Sequence, residues 1–263
     1  MRLVKNQPVL VKTNTNEFYF PSRLIYRIKS KNLVLNRVKT LSCIYKDPVQ
    51  QRWIIECSNE ALRFKNWNKF YVEALKKQDP IVIAFIKFPS KDEMHVYLCS
   101  FERVIPVLKL LDKYLPRDIA MGTHHDISFK LVTAKNQHEC PSPEVIFADE
   151  SKIVYSEHMR EIDRLEEKAR LTGQNYDKKI NAIFKKAFLE SHVQTEFLPD
   201  LQRTRLESFY VDGAETYEQA MNVQSTMALA KHSSGGRLNP LKFFEKVIKN
   251  DGKKIDKLED FLS

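Results

Sequence analysis

The chain has 263 residues, with 43 Lys and Arg against 34 Asp and Glu for a net charge of +9, and six glycines, all at or beyond Gly122. Phosphate-cradling Walker loops and dinucleotide fingerprints need several closely spaced glycines at a strand-to-helix turn, so those nucleotide-binding classes are excluded. The most apolar stretch, residues 81–88, is far short of a membrane span, residues 1–10 lack the apolar core of a secretory signal, and four cysteines 14, 42 and 41 residues apart form neither a disulfide framework nor a CxxC pair, so no membrane contact and a reducing cytoplasm are expected.

Residues 8–12, 17–28, 32–45 and 52–57 are rich in Val, Ile, Leu, Tyr and Phe and are separated by polar turns, which predicts a four-stranded antiparallel meander. With no glycine before Gly122, its turns must draw on Asn and Asp. In residues 32–45, Arg37 and Lys39 fall on the parity of Leu33, Leu35 and Leu41, as expected of an edge strand or a basic sheet face. Residues 59–77 predict a helix with Phe64, Trp67, Tyr71 and Ala74 on one stripe. Residues 81–88 and 94–99 predict a buried hairpin. Ser100 stands where an N-cap would precede a helix over 101–115, with Pro106 either kinking that helix or delaying its start. Residues 119–132 predict one more strand, interrupted near Gly122.

Pro141 and Pro143 mark a boundary, and after a short apolar strand at 145–147 helices are expected over 151–171, 177–191, 198–210 and 214–231. A loop or hinge at 232–237 and two short helices complete the chain, whose acidic-apolar end is expected to pack on its own domain, the alternative being a docking peptide for a partner. The predicted fold is α+β: an N-terminal antiparallel sheet domain with two helices (1–140), an all-helical domain (141–232) and a hinge with a helical tail (233–263).

Charge points to function. Residues 1–46 hold ten basic side chains and one acid, Glu17, for +9 by themselves, whereas residues 151–263 carry 19 basic and 18 acidic residues, or +1. A concentrated positive field favours polyanions, because each neutralised phosphate releases counterions. The expectation is a non-enzymatic nucleic-acid-binding accessory protein without a cofactor. Arg23, Arg27, Lys29, Lys31, Arg37 and Lys39 of a basic sheet surface would contact the backbone of DNA or RNA, Tyr26, Trp67 or Tyr19 would stack on bases, and the helical C-terminal part would meet a protein partner.

Two alternatives have their own residues. A metal-dependent nuclease would use Asp126 and Glu150 to hold Mg²⁺ and Lys152 to stabilise charge on the phosphate. A structural or assembly subunit would present the basic surface to an acidic protein. Cys99, His124, His138 and Cys140 are the densest group of metal-ligating types, but they lack paired short spacings, and adjacent His124 and His125 on a strand must face opposite ways.

Overall fold

The computed structural model describes residues 9–59, 69–134, 140–191 and 199–233. The fold is α+β, and its centre is a seven-stranded sheet in which every neighbouring pair is antiparallel. In chain order the elements are β1 (Val9–Leu10), β2 (Ser22–Ile28), α1 (Lys31–Val38), β3 (Ile44–Lys46), β4 (Trp53–Glu56), α2 (Lys69–Lys77), β5 (Val82–Lys87), β6 (Glu93–Leu98), α3 (Val104–Tyr114), β7 (Ala120–Ser128), β8 (Thr133–Ala134), α4 (Pro143–Ile146), α5 (Glu157–Thr172), α6 (Asp177–Ser191), β9 (Leu201–Arg205), α7 (Glu207–Val211) and α8 (Ala214–Ser233). The sheet order is β3-β4-β5-β6-β2-β7-β9, and β1 pairs with β8 apart from it. Among the described residues no helix is long and apolar enough to cross a membrane.

One sheet face is apolar: Leu24, Ile86 and Val96 are fully buried there, and α1, α3 and α8 pack their apolar sides into the same core. The predicted hairpin forms as β5 and β6. Pro106 sits in the first turn of α3, where its missing N–H costs no helical hydrogen bond. The turns without glycine behave as expected at Asn16, which takes φ +63, while Gln78 adopts φ +57 outside that expectation.

Three assignments are corrected. Residues 32–45 do not run as one strand, because Val34, Val38 and Leu41 recur at i, i+4, i+7 and are all buried. A strand would have sent Arg37 and Lys39 into the face carrying the leucines, and α1 avoids that burial. Residues 198–210 are not one helix: Leu201–Arg205 forms β9 on β7, so the sheet draws its last strand from beyond residue 140. Residues 145–147 are not a strand, since Ser142 caps the short α4, its hydroxyl accepting from the Val145 N–H.

Ser100 does not cap the following helical turn. Its hydroxyl donates instead to Glu17 at 3.1 Å. That carboxylate also accepts from Arg103 Nε at 2.8 Å, Tyr71 at 2.8 Å and Thr15 at 2.8 Å, and Arg103 reaches the Val82 carbonyl at 2.8 Å. The one acid of the basic N-terminal segment is therefore spent on an interior ion pair with a residue outside that segment. Its charge offsets nothing at the surface.

Gly122 on β7 has no room for a side chain: a β-carbon there would lie 2.8 Å from Tyr210 Oη and 2.9 Å from Leu206 Cδ1. Gly122→Ala is expected to cost about 1–3 kcal/mol, the range of overpacked cores, seen as a lower urea midpoint at unchanged m-value.

Candidate functional site

The second sheet face is polar along its middle strands. One row crosses all seven: Tyr45, Ile54, Phe85, Tyr97, Arg23, Asp126 and Arg203 stand opposite one another in sequence. Phe85 and Tyr97 in the row are closed over by the segment after α4, where Phe147 and Ile153 bury against them. The row's second half is an ionic cluster. Asp126, with a fully buried side chain, accepts from Arg23 Nε at 2.8 Å and Nη2 at 2.5 Å, and from Arg203 Nε at 2.6 Å and Nη2 at 2.9 Å. Glu150 closes the group by bonding both guanidiniums. Burial alone would push the Asp126 carboxyl up, but the hydrogen bonds and charges of Arg203 and Arg23 hold it below the usual carboxylate range.

Two residues further along the strands, His95, Ile25, His124 and Arg205 form the next row. They floor a cleft of about 910 Å³ whose wall is α5. Asp163 of α5 lies 3.0 Å from His124 Nε2 and accepts from Tyr155 at 2.6 Å and Arg205 at 2.6 Å. Glu166 takes the other Arg205 nitrogen at 2.6 Å, and Glu167 pairs with Arg170 and stands 3.9 Å from Arg27. His95 Nε2 is 2.6 Å from Glu93, yet burial and the charge of Arg23 lower the imidazole pKa, Glu93 opposing them. The two adjacent histidines do face opposite ways: His124 lines the cleft, and His125 is fully buried on the core side.

The six predicted backbone contacts do not share one surface. Arg23 is 3 % exposed and committed to Asp126, Glu150 and the Phe147 carbonyl, so it is no free phosphate contact. Arg27 opens into the cleft with half of its side chain exposed. Lys29, Lys31, Arg37 and Lys39 are exposed on and beside α1, which packs against the opposite face. Among the described residues none of these four has a carboxylate partner; Lys31 lies over Phe88 and Lys39 over Trp53. Tyr26 is 2 % exposed on the core side, and Tyr19 is buried with its hydroxyl donating to the Pro141 carbonyl at 2.6 Å, so neither offers a ring face to a base. Trp67 lies outside the described residues.

Asp126 and Glu150 do converge, but around two guanidiniums, and Lys152 turns away to Asp149 at 3.1 Å. Among the described residues no group of three or more His, Cys, Asp or Glu side chains is arranged to hold a metal ion. Cys99 and Cys140 are free thiols, His124 is engaged with α5, and His138 lies outside the described residues. The residues missed were Arg203 and Arg205, hidden by the helical reading of their segment; their spacing of two was the available signal of a strand presenting both to one face. Neither a family model, nor a curated protein, nor a solved structure matches the chain.

Proposed function

We propose that the chain is a nucleic-acid-binding accessory protein that contacts the phosphate backbone of DNA or RNA, without base reading, through Lys29, Lys31, Arg37 and Lys39. The observation that carries this reading is that these four cations are exposed and without carboxylate partners among the described residues, whereas the sheet arginines are neutralised. An unpaired cation releases phosphate counterions without first surrendering an internal ion pair. Glu17, buried against Arg103, does not weaken the field. The helical part suits a protein partner, since α5 buries Ile162 and Leu165 and leaves Leu171 exposed at its end.

Anisotropy titrations with a labelled duplex and a labelled single strand test this. Four duplex phosphate contacts give a log–log salt slope of about −3.6, or about 150-fold weaker binding between 50 and 200 mM salt. Glu substitutions at Lys29, Lys31, Arg37 and Lys39 should abolish that slope. Reversal of Lys178 and Lys179 on α6, the second of which pairs with Glu161 at 3.5 Å, should leave most of it. No binding at 50 mM salt would remove the proposal in favour of an acidic protein partner for the same patch.

A further inference from the structure

Thr123 is the unpaired residue of a bulge in β7: Ile25 stands opposite His124 and Tyr26 opposite Gly122, with nothing opposite Thr123. Successive residues of a regular strand point to opposite faces, but a bulge re-aims one of them, and here Thr123 and His124 line the same cleft. The Thr123 hydroxyl lies 3.0 Å from His124 Nδ1, its single proton shared between that nitrogen and the Ile25 carbonyl at 3.1 Å. Across the ring, Nε2 lies 3.0 Å from Asp163 Oδ2. Burial pushes the Asp163 carboxyl up, but hydrogen bonds from His124 and Tyr155 and the Arg205 charge hold it below the usual range, ionised at neutral pH.

We propose that Thr123, His124 and Asp163 form a hydroxyl–imidazole–carboxylate relay that hydrolyses a carboxylic ester bound in this cleft. A nucleophile within hydrogen-bond reach of a base that a third group orients is the arrangement covalent acyl transfer requires. Nε2 carries its proton toward Asp163, which leaves Nδ1 free to accept. As Thr123 Oγ1 bonds to the ester carbonyl carbon, its proton passes to Nδ1 and then to the departing alkoxide as the carbon–oxygen bond breaks. Water repeats the attack on the threonyl ester, His124 takes its proton and returns one to Oγ1, and the acid leaves. Arg27, half exposed and no nearer than 3.9 Å to Glu167, is the cation available to negative charge developing on the carbonyl oxygen.

Charge selects the ester. Seven carboxylates and four guanidiniums line the cleft, so neutral and cationic esters are favoured over anionic ones. The same imbalance keeps a polyanion out, and the activity is therefore independent of binding at α1.

The probe is p-nitrophenyl acetate, followed by nitrophenol release and by mass spectrometry of the quenched protein. Wild type should acetylate at Thr123 and turn over, and the mono-p-nitrophenyl ester of succinate should react more slowly. Thr123→Val and His124→Gln should each lose about 100-fold or more, the scale of general-base catalysis, while Thr123→Ser retains turnover and becomes acetylated at the new hydroxyl. Asp163 is a positioning residue: Asp163→Asn should lower kcat with KM little changed, and Asp163→Glu should restore part of the loss, a pattern that a carboxylate serving only stability would not produce in a folded protein. Melting curves establish that each variant is folded. Equal hydrolysis by wild type and folded Thr123→Val, or no acetyl group on Thr123, overturns the relay and leaves the nucleic-acid proposal untouched; loss of salt-dependent binding with turnover intact does the reverse.

Discussion

Asp126→Asn should lower the unfolding free energy at pH 7 by about 3–5 kcal/mol, the usual cost of breaking a buried ion pair from one side. The side chain keeps its shape and loses its charge. Arg23, 3 % exposed, and Arg203 would then share Glu150, whose side chain is more than half exposed, as their remaining carboxylate in the cluster. Urea titrations measure the loss as a fall in the midpoint. Lys152→Ala, an exposed partner of Asp149, should change stability by about 0.5 kcal/mol or less. The sign of the pH dependence follows from the depressed Asp126 pKa: the unfolded carboxyl gains its proton first as pH falls, so the stabilisation is complete at neutral pH and is lost as pH drops through the folded value. The gap between wild type and variant should therefore narrow in acid. If Asp126 held a catalytic metal instead, the substitution would leave stability almost unchanged and remove Mg²⁺-dependent cleavage of DNA or RNA.

The elements that were legible in the sequence are those whose pattern answers to one force. The β5–β6 hairpin, α3 and α6 follow from apolar periodicity, and the interruption of β7 near Gly122 appears as the bulge at Thr123. Residues 31–38 carry two periodicities at once, and tertiary burial of Val34 and Val38 decides for helix. β9 has a single apolar residue, Leu201, and Arg203 and Arg205 hold it against Asp126 and Asp163, which no local pattern encodes because the partners lie 77 and 42 residues away. The candidate site was legible in the same partial way. Asp126, Glu150 and His124 were singled out as chemistry-bearing residues, but whether Asp126 and Glu150 close on a metal or on guanidiniums depends on Arg23 and Arg203. Net charge located the basic segment, yet it does not separate the buried Arg23 from the exposed Lys29. What separates them is cover: Arg23 lies under Phe147 and Glu150, whereas Lys29 lies beyond the end of β2.

His125 should make the fold acid-sensitive well above the carboxylate range. It is fully buried, and burial lowers its pKa to about 3, the neighbouring Asp126 charge opposing the shift only in part. An unfolded histidine titrates near 6.5. Between those values the unfolded chain binds a proton that the folded chain refuses, so stability rises with pH across this window and falls as the solution is acidified. The slope approaches about 1.4 kcal/mol per pH unit, and the accumulated loss from this residue is about 3 kcal/mol at pH 4. Inside the fold, Nδ1 is 2.8 Å from the Tyr217 hydroxyl, and among the described residues Nε2 has no hydrogen-bond partner to receive a second ring proton. Carboxylates titrate in the lower part of the same range, and His125→Gln separates the two effects: it keeps a polar group beside Tyr217 and does not ionise. Unfolding free energies from urea titrations between pH 7 and pH 4 should fall steeply for the wild type and by about 3 kcal/mol less for the variant, with the divergence beginning near pH 6.5. Parallel curves for the two proteins would mean that the imidazole is protonated inside the fold, and the burial argument for the core side of β7 would fail.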